Sequence, residues 1–143
     1  MSAFASIQAA IIAALSAATA LAGGRIYANR LRPIADGTAT AIVVRLEQAS
    51  GTEMVIGTVD WQSSFTVECF ARATTGSDPA AAVDALLSDV WARLGVLSFE
   101  TLGANVALDP RIDWQYDELD TPMVCAVLRL SAQHRTTNST LTA

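Results

Sequence analysis

Lysine is absent from this chain, histidine occurs once and cysteine twice in 143 residues. Nine arginines stand against 14 acidic residues, for a net charge of −5 at neutral pH. A surface that grips a phosphate backbone relies on a basic excess, so this balance speaks against a conventional nucleic-acid-binding module. Cys69, Cys125 and His134 are too few for most multi-ligand zinc sites, and the two cysteines have no spacing that marks a disulfide. The Walker loop, GxGxxG, CxxC, HExxH, the EF-hand loop and GxSxG are all missing. His134 has no serine or cysteine close by in sequence and reads as structural or solvated. These absences argue against an enzyme built on His, Cys or a metal, and no cofactor is expected.

Charge is scarce as well. Charged residues are 16% of the chain, against roughly 25% in an ordinary soluble domain. One reading is coding bias, because a genome rich in G and C favours alanine and arginine over lysine, and the chain holds 27 alanines. The other is an extensive contact surface, since obligate interfaces are depleted in charge.

What is present is enough for one domain with a real core. Residues 3–22 are apolar but are preceded by no lysine or arginine, so they read as a soluble helix rather than a signal peptide or membrane span. Phe4, Ile7, Ile11, Leu15, Ala18 and Leu21 fall on one helical face, with Gln8, Ser16 and Thr19 off it. Gly23-Gly24 supplies a left-handed stop. Residues 25–28 are extended and residues 29–38 form a loop around Pro33 and Gly37.

Residues 39–48 alternate, with Ile42, Val44 and Leu46 on one side and Val43, Arg45 and Glu47 on the other. Ser50-Gly51-Thr52 signals a turn, and residues 54–59 return as a second strand. Residues 60–74 alternate most cleanly: Trp61, Phe65, Val67, Cys69 and Ala71 oppose Gln62, Ser64, Thr66, Glu68 and Arg72. Phe70 is a large ring on the polar side. A second helix begins at Asp78-Pro79 and ends at Gly95, burying Val83, Leu86, Leu87, Val90, Trp91 and Leu94, with Asp89 and Arg93 one turn apart. Residues 111–117 alternate again, Asp117, Glu118 and Asp120 lie in an acidic turn, and residues 123–134 form a long final strand.

Short links between these strands imply antiparallel pairing. The expected fold is an α+β two-layer sandwich: a mainly antiparallel sheet of four or five strands with two helices on one face. Residues 1–134 form the domain and residues 135–143 a flexible tail. Trp61, Phe65 and Val67 should face Leu86, Val90 and Trp91. The opposite sheet face offers Arg45, Glu47, Glu68, Phe70 and Arg72 to a partner subunit. Gly51 and Met54, in an apolar link, are expected to touch a neighbouring subunit or another protein.

An Ala-rich N-terminal helix runs into Gly23-Gly24-Arg25-Ile26-Tyr27. A Pro-containing loop leads to the strand at residues 40–44, the alternating strand at 60–72, the helix at 78–94 and the closing strand at 122–130. This layout resembles the tail terminator, or tail completion, proteins of long-tailed bacteriophages, prophages and gene transfer agents, over residues 4–134. The resemblance implies a non-enzymatic virion protein made in the host bacterial cytoplasm and placed at the tail neck. It implies a homo-oligomer, a six-membered ring, that caps the tail tube protein, stops its polymerisation and meets a head-side connector or stopper. DNA would pass through without being read, and no membrane is involved. Asp117, Glu118 and Asp120 are then candidates for an acidic lumen, where negative charge repels phosphates. Other readings are a different neck protein, either stopper or adaptor, and a small α+β ligand-binding domain or enzyme whose site follows no motif.

Overall fold

Ser2 starts the first helix. Its side-chain oxygen accepts from the Ala5 N–H at 3.3 Å, and helix α1 follows over Ala3–Ser16. The computed structural model describes residues 1–17, 19–29, 39–73, 78–97, 104–117 and 122–142. Ile7, Ile11 and Leu15, spaced by four, are buried on one face of α1. The helix stops earlier than the glycine signal predicts. Ala17 is already extended (φ −72°, ψ 153°), and Gly23 and Gly24 belong to a separate 3-10 turn, Leu21–Gly24, where their φ values are 62° and 82°. Ala18 and the loop expected around Pro33 and Gly37 lie outside the described residues.

Strand β1 (Ile26–Ala28) pairs in parallel with β2 (Thr40–Val55), and every other pairing is antiparallel. Strand β3 (Thr58–Arg72) joins β2 to the final strand β6 (Met123–Thr137). The far edge of β6 is shared by two short strands: β5 (Asp113–Asp117) lies against Met123 to Val127, and β4 (Asn105–Leu108) against Leu130 to Gln133. The sheet therefore has six strands, not four or five.

The turn predicted at Ser50-Gly51-Thr52 does not exist. β2 runs through it, and the chain reverses at Ile56-Gly57, where Gly57 has φ 84°. Gly51 sits in the strand directly opposite Trp61. A Cβ there would lie 2.7 Å from Val59 Cγ1 and 2.9 Å from Trp61 Cζ3. Glycine is needed for the close approach of a cross-strand ring, not for a turn. A register shift between Leu46 and Gln48 changes the parity, which carries Gly51 to the helix side while Arg45 and Gln48 stay on the other.

β6 continues three residues past the expected boundary at 134, to Thr137. Beyond it the Asn138 N–H donates to Gly57 O at 3.0 Å, and Leu141 O accepts from the Ala3 N–H at 2.7 Å.

Helix α2 (Pro79–Leu94) begins as the sequence indicates, with the Asp78 carboxylate accepting from the Ala80 N–H at 3.0 Å and Pro79 in the first turn. Gly95 closes it in the right-handed region (φ −66°), not the left-handed one. The core lies between the helices and one sheet face. Phe65, Val67, Cys69 and Leu128 on the sheet pack with Ile7, Ile11 and Leu15 of α1 and Val83, Leu86 and Val90 of α2. Trp91 is not part of it. It sits at the rim of the stripe and is 36% exposed. Trp61 is half-buried and packs on Phe4 of α1, edge to face at 5.2 Å, rather than on α2.

Candidate interface surface

The sheet face away from the helices carries paired charges. Strand alternation sends Arg45 of β2, Glu68, Phe70 and Arg72 of β3, and Cys125, Val127 and Arg129 of β6 to this side. Arg45 Nη1 lies 3.4 Å from Glu68 Oε1. Glu47 Oε2 is 4.0 Å from Arg129 Nε and accepts from the Ser64 hydroxyl at 3.4 Å. Arg129 Nη1 donates to Asp113 Oδ2 at 2.5 Å, and Arg111 Nε approaches the same carboxylate at 3.4 Å. Further along, Arg135 grips Asp60 through two hydrogen bonds of 2.5 and 3.0 Å. These guanidinium hydrogen bonds hold the Asp113 and Asp60 carboxyls below the usual carboxylate range. Glu68 goes the other way: burial raises it, and the nearby Arg45 charge only partly opposes that.

The face is less open than the sequence implies. Ala41, Val43, Cys125 and Val127 on it are all buried, and Phe70 is half-buried between its strand partners Ala41 and Cys125. Of the sequence-derived candidates, the structure thus brings Arg45, Glu47, Glu68, Phe70 and Arg72 onto one face. Gly51 and Met54 stand apart from them. Ten residues separate Ala41, opposite Phe70, from Gly51, about 33 Å along a strand. Asp117 closes β5 opposite Met123, while Glu118 and Asp120 lie outside the described residues. Asp60, Asp113, Arg129 and Arg135 were not singled out from sequence, because a cross-strand ion pair becomes visible only once the register is known.

Two features mark the hairpin end of this face. An open groove of about 560 Å³ is lined by Ser50, Thr52, Asp60, Gln62, Gln133 and Arg135 among others. Gln133 Nε2 donates across it to Gln62 Oε1 at 2.9 Å. At the tip of the hairpin Met54, Val55 and Ile56 are 70%, 55% and 95% exposed.

Cys69 and Cys125 are reduced. Cys69 is opposite Ala126 and Cys125 opposite Phe70, so neighbouring positions send the two thiols to opposite faces and no bridge can form. Burial pushes both thiols up to about 12, which leaves them unreactive. His134 is buried with neither ring nitrogen hydrogen-bonded, and the buried Ser63 hydroxyl donates to Ala132 O at 3.2 Å. The described residues therefore contain no hydrogen-bonded Ser–His pair. They hold no group of three or more His, Cys, Asp or Glu side chains placed to bind a metal. No helix among them is long and apolar enough to cross a membrane. What the described residues present is paired charges on a broad face, a polar groove and an apolar tip.

No protein-family model matches the chain, and no curated protein matches it. Among solved structures it is similar to a chain in the virion of a native gene transfer agent particle. The TM-score is 0.54 at 22% sequence identity, covering 88% of this chain and 93% of the other. At that identity the likeness is one of fold, shared over nearly the full length of both chains.

Proposed function

We propose that this chain is a structural protein of a phage-like virion and that it acts there as a tail terminator. The fold shared with a chain of a gene transfer agent virion, along almost the whole of both proteins, carries this reading. In it, copies form a six-membered ring that caps the tail tube, ends its growth and offers a joining surface to a head-side connector. DNA passes through unread, and an excess of acidic over basic residues keeps phosphates from adhering. Arg45, Glu47, Glu68, Phe70 and Arg72 supply one candidate contact face, and Met54, with Val55 and Ile56, supplies another. The apolar hairpin tip supports such contacts, because three consecutive exposed apolar side chains are uncommon on a surface with no partner.

The reading is tested by deleting the gene in the cell that makes the particle and measuring tails by electron microscopy. Overlong tails that fail to join heads are the expected outcome, with normal length restored by the gene in trans. Tails of normal length joined to heads would overturn it. In solution the purified chain should sediment at six times its 15.0 kDa mass, or, if it is a monomer there, bind isolated tail tubes at six copies per end.

A further inference from the structure

The single histidine of the chain is placed where neither protonation state finds a partner. His134 is 7% exposed, and its Nδ1 and Nε2 make no hydrogen bond. Its ring meets Phe4 edge to face at 4.9 Å, and its neighbour across the strands is Trp61. Phe4 stacks on Trp61 as well, so one phenyl ring from the first turn of α1 covers both.

That turn is also where the two chain ends meet. The Ala3 N–H donates to Leu141 O at 2.7 Å, Ala5 N–H to the Ser2 hydroxyl at 3.3 Å, and Ser6 N–H to Ser2 O at 3.0 Å. The imidazole therefore lies beneath the point at which the start of α1 and the C-terminal segment are fastened to the sheet.

No carboxylate among the described residues faces it. α1 carries no charged side chain, and its N-terminal end presents the positive pole of the helix. On β3 the nearest acid, Asp60, points to the opposite face and is held by Arg135, which likewise projects from the far side of β6. The facing positions of β6 itself are Ala132 and Thr136, whose hydroxyl accepts from Trp61 Nε1 at 2.9 Å. β4 contributes Asn105 beside Gln133, residues 138–142 contain no titratable side chain, and Asp84 and Asp89 of α2 are exposed on its outer side. Among the described residues, a cation at His134 would lie between the Phe4 ring, next to a positive helix end, and the floor of the groove that Gln62, Asn105 and Gln133 also line, with no hydrogen-bond acceptor on either ring nitrogen.

We propose that His134 is an acid-sensitive latch. Neutral, it is sealed beneath Phe4. Protonated, it expels Phe4, and the first turn of α1 and residues 138–142 come away from the sheet while the sheet itself stays paired. Burial, which lowers the affinity of this imidazole for a proton, agrees with the geometry. The proposal does not depend on the virion role.

The test is hydrogen exchange of the full chain at pH 7.5 and 5.0, corrected for the intrinsic pH dependence of exchange. In the wild type, the amides of Ala3, Ala5 and Ser6 should lose protection at least tenfold at pH 5.0, while those pairing β3 with β6 keep theirs. In His134→Phe, which keeps an aromatic ring and removes the titration, protection should be equal at both pH values. Because there is one histidine, its imidazole resonance is assigned without ambiguity. Its titration midpoint should lie below that of a free imidazole and coincide with the loss of protection at Ala3. Unchanged protection of the first turn in the wild type, an equal loss in His134→Phe, or a midpoint at or above the ordinary value would each overturn the latch. Should His134→Phe not fold, the wild-type titration and exchange still decide it.

Discussion

Gln8 shows how a single residue can be misread from periodicity. In a helix otherwise made of Ala, Ile, Leu, Phe and Ser, a glutamine off the apolar stripe reads as solvent-facing. It is 8% exposed. Its Nε2 donates to Val44 O at 2.8 Å and to Asn29 Oδ1 at 2.9 Å, and Asn29 Nδ2 returns a bond to Gln8 Oε1 at 3.3 Å. Asn29 itself has φ 48°, a left-handed conformation that asparagine tolerates better than most residues. The amide thus ties α1 to the residue after β1 and to the first third of β2, contacts 21 and 36 residues away in sequence, and no local pattern encodes them. Gln8→Leu keeps the volume but leaves the Asn29 amide without its partner. The expected loss is about 1–3 kcal/mol, read as a lower urea midpoint with an unchanged slope. A variant as stable as the wild type would show that water replaces the amide without cost. Gly51 makes the same point in reverse. Its residue type signals a turn that is not there, and the glycine is required instead by Trp61 across the ladder.

At the scale of elements, those that carry their own signals were legible and those that depend on partners were not. α2 was readable at its start because the cap and Pro79 are local, and the alternation of β3 gave its buried face. β4 and β5 were not readable as two strands sharing one edge, because their position is set by β6. The parallel pairing of β1 follows from a connection that sequence cannot direct. The end of α1 belongs with these. Asp89 lies one turn before Arg93, a spacing that suits an i,i+4 pair, but the Arg93 guanidinium reaches the other helix. Nη1 donates to Leu15 O at 2.8 Å and Ala17 O at 2.7 Å, and Nη2 donates to Thr19 O. It occupies the carbonyls that α1 leaves open and places a cation at the negative pole of that helix. Arg93→Met retains the aliphatic stem and removes these bonds. It should cost about 1–2 kcal/mol and loosen amide protection in the last turn of α1 before that of α2. Equal stability, or loosening confined to α2, would show that α1 ends without help from this arginine.

At the scale of the whole molecule, the question is which surface is free to meet another copy or another protein. The fold class and the identity of the sheet's second face were legible, because alternation alone assigns side chains to faces. The accessibility of that face was not, since it depends on how neighbouring side chains shield one another. Phe70 illustrates this. It is half-buried between Ala41 and Cys125 and next to Glu68, whose carboxyl already suffers from burial. A second carboxylate at position 70 would damage the monomer, so Phe70→Asp cannot separate a contact from a fold defect. The hairpin tip allows that separation. Strands of 16 and 15 residues end in Ile56, which is 95% exposed and makes no use of its side chain within the chain. Ile56→Asp should leave the unfolding free energy of the monomer within about 0.5 kcal/mol of the wild type, as for a surface site with no local role. The same change should weaken assembly strongly, because burying an isoleucine at an interface contributes about 1.5–3 kcal/mol and a buried aspartate opposes it. Sedimentation of the purified variant and the length of tails made in its presence are the two readouts. Loss of the assembled species with the fold intact places the tip in a contact. An Ile56→Asp protein that assembles at the same concentration and ends tails at the same length would restrict contacts to the sheet face. The exposed tip would then serve only to connect β2 and β3.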